Sequence, residues 1–304
     1  MSTLVGEHAG GPIGYMQRTR DYYAALGYAP YQWATFPTVP FVRSPRIAQS
    51  RLVLVTTAAR IEPNLGDQGP GAAYNAAAKF YSVYRVPIEP TPDLRISHIA
   101  YDRVHTTAAD PNTWLPVKAL QNAVSQGTLG ALATDVIGMP TDRSQRATQE
   151  RDAPAVLAAC RELQADVALL VPNCPVCHQS VSLVSRHLEA NGIPTVVMGC
   201  ARDIVEHVGV ARFLFSDFPL GNSAGKPFDE ASQRDTLARA LALFESASGP
   251  RSTAVSPQAW SADARWKNDY LNLNAMPADE LARRRTEFAQ QKAVAQRIRE
   301  GAAK

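Results

Sequence analysis

Two cysteines separated by two residues, with a histidine directly after the second, stand at Cys174-Pro175-Val176-Cys177-His178. This spacing lets one sulfur reach the other, so that one thiolate can attack a substrate and the second can resolve the product as a disulfide. The same string offers ligands to a metal. Cys174, Cys177 and His178 would supply three, and Cys200, His98 or His105 the fourth. It also spells the attachment signature of a c-type haem. A fourth reading makes these cysteines small buried hydrophobes at a crowded turn. The string alone leaves all four open.

The flanking sequence says how such a pair would be held. Val167–Val171 is a five-residue apolar run without polar alternation, the pattern of a strand covered on both faces. Gln179–Ala190 has helical periodicity and stops at Asn191-Gly192. The thiols therefore fall where a strand ends and a helix begins, and the unpaired N–H groups and macrodipole there favour a thiolate. Pro175 suits a first helical turn, where a missing N–H costs nothing. The first cysteine of such a motif is commonly the more open one, which makes Cys174 the favoured attacker. His178 would stabilise a thiolate or carry a proton. Asn173, with the helix amino end, would hold developing negative charge.

Further groups could join them. Cys200 follows the apolar run Thr195–Met198 through Gly199, which places it at the same sheet edge. Facing Cys174 across a cleft, it would give a two-cysteine racemase, one thiol removing a proton and the other returning it. Leu94–Asp102 reads as a strand or strand end entering a polar loop, so His98 and Asp102 would assist proton transfer if that loop folds over the cysteines. Cys160 sits in a helical pattern as a core residue. Phe218–Pro227 is glycine-rich but lacks the Lys-Ser/Thr ending of a phosphate loop, and it reads as a rim loop. No G-x-G-x-x-G string argues for a bound dinucleotide.

Apolar runs at Leu52–Thr57, Val167–Val171, Thr195–Met198 and Phe213–Phe215 alternate with helical patterns at Asp152–Gln164, Gln179–Ala190 and Asp203–Val208. That order predicts right-handed crossovers and an α/β fold, a mainly parallel sheet flanked by helices in Rossmann-like layers. Its functional loops belong at the carboxyl ends of the strands. Seventeen positions separate Cys177 from Pro194 (194 − 177), room for one helix only, which excludes a thioredoxin fold. Residues 1–50 form an aromatic-rich N-terminal segment with a helix over about Met16–Leu26, ended by Gly27. Residues 51–247 make the α/β core. Residues 248–304 open with a Ser/Pro/Gly linker and end in a charged helix over roughly 278–300, a helical C-terminal extension.

The chain has 304 residues, 45% of them hydrophobic, enough for a substantial core. Its net charge of +3 is spread without a basic block, which argues against nucleic acid as a partner. No apolar run approaches a membrane span, and the opening string MSTLVGEHAGGP shows no basic-then-apolar leader. Four cysteines in that setting are expected to be reduced thiols of a cytoplasmic protein.

Six strings together carry a family likeness: Tyr15–Tyr23, Thr56-Thr57-Ala58, Leu94–His98, Cys174–Gln179, Gly192–Thr195 and Phe218–Gly221. Over about residues 11–245 the chain resembles the glycine/sarcosine/betaine reductase selenoprotein B family, which includes a D-proline reductase subunit. The resemblance implies reductive chemistry in which a selenolate or thiolate attacks the substrate and a C–N bond is cleaved. In several members a pyruvoyl group on a partner subunit holds the substrate. Here cysteine occupies the motif and no selenocysteine is present, so the nucleophile would be the less reducing thiolate. The loop Tyr101–His105 is less acidic than the family pattern, and the tail after Ser248 lies outside it.

The expectation is a thiol-dependent reductase of a small molecule. It would be recycled by external thiols, a thioredoxin-like reductant or a partner reductase subunit. A metal- or haem-dependent enzyme, a two-cysteine racemase-like enzyme and a non-catalytic subunit of a reductase complex are the alternatives. Trp260, Trp266, Tyr270, Leu271 and Leu273 are more than one helix could bury, so the tail is expected to pack on a neighbouring subunit of a homo-oligomer.

Overall fold

A computed structural model describes residues 10–29, 31–96, 98–141 and 143–302, with side chains to 298. The leader expectation at residues 1–9, and Ser97 of the family-like strings, lie outside the described residues. In chain order the elements are α1 (Tyr15–Ala25), β1 (Arg51–Thr56), β2 (Ala59–Arg60), β3 (Tyr84–Pro87), β4 (Leu94–Arg95), α2 (Val117–Ser125), β5 (Ala131–Leu132) and β6 (Asp135–Gly138). Next come α3 (Gln145–Ala147), α4 (Ala153–Glu162), β7 (Val167–Val171), α5 (Pro175–Ala190), β8 (Thr195–Gly199) and α6 (Arg202–Val208). The chain closes with β9 (Arg212–Phe215), α7 (Glu230–Ser246), β10 (Ser252–Val255) and α8 (Ala278–Ala302).

The main sheet runs β10-β9-β8-β7-β1-β6-β3, with β5 pairing the start of β1. All pairings are parallel except β3 against β6. Thr56 is level with Val171, Leu170 with Val197 and Val197 with Phe213, so β1, β7, β8 and β9 end in one row. This is the expected α/β fold with its mainly parallel sheet.

Alternate side chains of each buried strand serve opposite faces. Leu52, Leu54, Leu169 and Val196 pack with Leu120 of α2 and Leu237 and Phe244 of α7. Val53, Val55, Leu170 and Val197 pack with Val156 of α4, Val181 and Val184 of α5 and Val205 of α6. Helices on both faces explain why the strands carry no polar alternation. A fully buried ion pair, Arg212 Nη1 to Glu189 Oε1 at 3.0 Å, ties the start of β9 to the end of α5. Glu189 also accepts the backbone N–H of Thr195 and of Val42.

A third cluster caps the carboxyl edge. There Tyr15, Tyr23 and Trp33 of the N-terminal segment meet Trp266, Tyr270 and Phe288 of the C-terminal one. The rings of Tyr15 and Tyr270 meet edge to face at 5.2 Å, and Tyr28 meets Phe288 the same way at 4.6 Å. The Tyr270 hydroxyl donates to the carbonyl of Ala100 at 2.7 Å. Within this chain Tyr270 of the tail is covered by Tyr15, while Trp260 packs on Phe218 and Trp266 beside His105.

Three element expectations change. The stretch read as a linker from 248 contains β10, which adds a parallel edge strand beside β9. Ser-Thr-Ala-Val needs little apolar content at a half-exposed edge. Helix α5 starts at Pro175 rather than Gln179, because Cys174 caps it. The segment Leu94–Asp102 is strand only at Leu94–Arg95 and loop thereafter.

Candidate functional site

Cys174 is the N-cap of α5. Its backbone is extended, and its sulfur accepts the N–H of Cys177 at 3.3 Å. The cap folds the first helical turn back on itself and brings the two Sγ atoms to 2.6 Å. Both are free thiols, and a disulfide bond of about 2.05 Å needs only a small further approach. Cys174 and Cys177 share a charge. Burial raises both thiols, and the two sulfurs share a hydrogen bond. That bond and the imidazole of His98 hold the Cys177 thiol well below the usual range, while Cys174 is pushed well above it. The pair gives up its first proton readily and its second with difficulty.

The imidazole beside the thiols is His98. A ring nitrogen of His98 and the sulfurs of Cys174 and Cys177 all lie within 4.8 Å of one another. Its Nδ1 is buried without a hydrogen-bond partner. The loop from Leu94 does fold over the cysteines, as the proton-transfer expectation required.

His178, expected in that place, turns the other way. Its backbone N–H and its Nδ1 both reach the carbonyl of Cys174, at 3.1 and 2.7 Å, and its Nε2 accepts the N–H of Cys200 at 2.9 Å. Desolvation lowers its pKa to about 4, so it is a neutral brace at pH 7. With both ring nitrogens spent on backbone, it offers no lone pair to a metal or to a haem iron and no proton to a substrate. The residues present therefore do not fit the haem reading. The three-ligand cluster of the metal reading contains His98 in place of His178. Gly199 makes the brace geometrically feasible: a Cβ there would sit 2.7 Å from His178 Nε2.

Asp102 is buried but engages His105, whose Nδ1 is 2.9 Å away and whose backbone N–H it also accepts. His105 packs by Trp266, outside the thiol cluster. Arg103, between Asp102 and His105, holds the loop that carries His98 by donating to the carbonyls of His98 and Ile99 at 2.7 and 3.0 Å. Cys200 lies outside the cluster as well, 3.8 Å from Ser223 Oγ, and burial pushes its thiol up to about 12. A thiol so hard to ionise is a poor base, which weakens the two-cysteine racemase reading. Asn173 is fully buried with neither side-chain polar atom partnered, and the Thr57 hydroxyl just after β1 is turned toward Cys177, where its hydrogen bond also lowers that thiol. Unpaired buried polar groups mark a place where water or ligand is needed. Phe218–Gly225, expected at a rim, is buried, and Ser223 donates to the carbonyl of Pro172.

A cavity of about 620 Å³ opens beside the pair. Cys174 and His98 line it, and Cys177 stands behind Cys174. Its other walls include Thr141 and Arg143 after β6, Tyr28, and Phe288 and Lys292 of α8. Sequence reasoning passed over Thr141 and Arg143. The one available signal was that Gly138-Met139-Pro140 ends an apolar run, as a functional strand end does. No membrane-crossing helix occurs among the described residues.

This architecture is an α/β sheet with a buried dithiol and an imidazole at its carboxyl edge, facing a cavity of small-molecule size. Compared with curated proteins, the chain is similar to the D-proline reductase subunit gamma of Acetoanaerobium sticklandii, 29% identical over 143 residues. The match covers 47% of this chain and 59% of that relative. It supports a distant relationship to the reductase family. No protein-family model matches the chain, and no solved structure does.

Proposed function

We propose that the chain is a dithiol reductase that cleaves a carbon–nitrogen or comparable bond in a small molecule held in the 620 Å³ cavity. The observation that carries this is the pair of sulfurs 2.6 Å apart, one on the cavity wall and both against His98. Cys174 attacks the substrate carbon as its proton passes to the Cys177 thiolate, and the leaving group departs with the bonding pair. Cys177 then returns its proton through His98 and attacks the Cys174 sulfur. The carbon leaves with the carbon–sulfur electron pair and takes up a proton, so the substrate must bear an electron-withdrawing group next to that carbon. The two electrons that reduce the carbon come from the dithiol, which is left as the Cys174–Cys177 disulfide. A thioredoxin-like dithiol or a partner subunit restores the thiols. Asn173 holds charge at the reacting atoms, and His178 positions Cys174 and Cys200 through their backbones. A partner subunit belongs to this reading because the similar protein is by name a subunit.

The test is trapping. Diamide should convert Cys174 and Cys177 to an intramolecular disulfide that thioredoxin reduces. In Cys177→Ser, oxidised thioredoxin should leave a mixed disulfide on Cys174 that no longer resolves, and iodoacetamide should still alkylate Cys174. Adducts on Cys177 in the Cys174→Ser variant at the wild-type rate would reverse the roles. Failure to form the disulfide would overturn the reading.

The His98–Cys174–Cys177 cluster favours one second reading, a structural or catalytic zinc. Stoichiometric zinc in protein purified without chelator, with thiols silent to diamide until it is stripped, would establish it instead.

A further inference from the structure

The charge of the cavity wall is one-sided. Lys79, Arg143, Arg151 and Lys292 line it, and no carboxylate among the described residues does. Arg151 is committed to Asp152 at 2.8 Å. Arg143 and Lys292 stand over aromatic faces rather than acids. The Arg143 guanidinium lies 4.0 Å from the centre of the Tyr28 ring and 5.3 Å from that of Tyr23, and the Lys292 ammonium 4.7 Å from that of Tyr28. Lys79 lies 5.0 Å from the Tyr81 ring centre. The tyrosine rings fix Arg143 and Lys292 in place without neutralising them, because a cation–π contact leaves the full charge.

Chemistry follows from that wall. A positive charge on a ligand finds no carboxylate here, and the ring faces of Tyr28 and Tyr81 that could receive it are already taken by cations. A negative charge finds two exposed cations at the mouth, aromatic and apolar surface from Tyr23 and Phe288 behind them, and Cys174 at the inner end. We propose that the cavity selects an organic anion without a compensating cation, its charge at Arg143 and Lys292 and its reactive carbon toward Cys174. This rests on the dithiol reading for the role of Cys174, but the charge preference stands on the wall itself.

Two measurements separate the two claims. Iodoacetate and iodoacetamide differ in charge and little in size. At low salt, iodoacetate should alkylate Cys174 faster relative to iodoacetamide than it does glutathione, by roughly tenfold, since a cationic cleft concentrates anions. The ratio should return to that of glutathione in the Arg143→Gln/Lys292→Gln double variant and at high salt. Calorimetric titration with phenylacetate, phenylacetamide and phenethylamine needs no reactive thiol. Phenylacetate should bind in wild type and in Cys174→Ser, and the double variant should weaken it by about tenfold. Binding of phenethylamine as tight as that of phenylacetate, or no response to the double variant, overturns the proposal. Silence of Cys174 to both alkylating agents, with phenylacetate binding intact, would defeat the dithiol reading and leave the anion site standing.

Discussion

His178 Nε2 accepts the N–H of Cys200 at 2.9 Å, so the helix that begins with Cys174 and Cys177 is bolted to the neighbouring strand end. The imidazole can do this only while neutral. Its pKa of about 4 lies below the unfolded value of about 6.5, so the unfolded chain binds the extra proton between these limits. Stability from this group is complete above pH 6.5 and is lost as pH falls toward 4, about 3 kcal/mol in all. Chemical denaturation at a series of pH values should show that loss in wild type. His178→Gln should start roughly 1–3 kcal/mol less stable at pH 7 and lack that slope.

Gly199→Ala tests the same brace from the other side. The new methyl group would meet His178 Nε2 and the Phe213 ring, at 2.7 and 3.3 Å, in a packed interior. A loss of about 1–3 kcal/mol is expected. The variant should also oxidise more slowly with diamide, because displacing His178 disturbs the Cys174 carbonyl it holds. Wild-type oxidation kinetics would show that the brace does not position the pair.

Thiol reactivity should divide the four cysteines two and two. Burial pushes Cys160 and Cys200 up to about 12, whereas the Cys174–Cys177 pair has one proton held loosely beside His98. Iodoacetamide at pH 6 followed by peptide mass spectrometry should label the pair and leave Cys160 and Cys200 unmodified. His98→Ala should move the onset of labelling to higher pH. Equal labelling of all four would contradict the charge assignment.

Glu189→Gln should be among the most damaging substitutions in the molecule. It leaves the Arg212 guanidinium, wholly buried, without its counter-charge. Removing one member of such a pair costs about 3–5 kcal/mol. Urea denaturation measures it, and a change under 1 kcal/mol would mean that Arg212 reaches water.

Asp203 carries the opposite pH dependence from His178. Its carboxylate accepts the N–H of Met16 at 2.7 Å at the foot of α1, and burial raises its pKa to about 6. The folded form therefore keeps this proton to higher pH than the unfolded one, and stability falls as pH rises from about 4 to 6. Asp203→Asn keeps an acceptor without the charge. It should equal wild type below pH 4 and exceed it by roughly 1–2 kcal/mol at pH 7. Thermal melts at both pH values decide this.

The strand Val167–Val171, the turn with Cys174 and Cys177 and the helix after it were legible because a doubly covered strand has a plain pattern and Gly192 a plain stop. Strands β3, β6 and β10 are four residues each, too short for their periodicity to rise above that of loops. The exchange of His98 for His178 was not legible. Position 178 follows the motif directly, yet on a helix the fourth residue after the cap can curl back to the cap carbonyl, and its ring does. His98 arrives through a loop some 75 positions upstream, held by Arg103 on the His98 and Ile99 carbonyls and by the Asp102 N–H on the Leu220 carbonyl. The cover of Tyr270 was out of sight for a related reason: it lies some 250 positions away in Tyr15 and Arg18.

Tyr23 and Tyr28 stand near one terminus and Phe288 and Lys292 near the other, and together they wall the cavity. During synthesis, then, the sheet and its sulfurs can be complete while the chamber still lacks a roof. A chain stalled or clipped before α8 would present its dithiol to bulk water and to any passing oxidant. Loss of the last 25 or so residues would take Phe288 and Lys292 out of that wall.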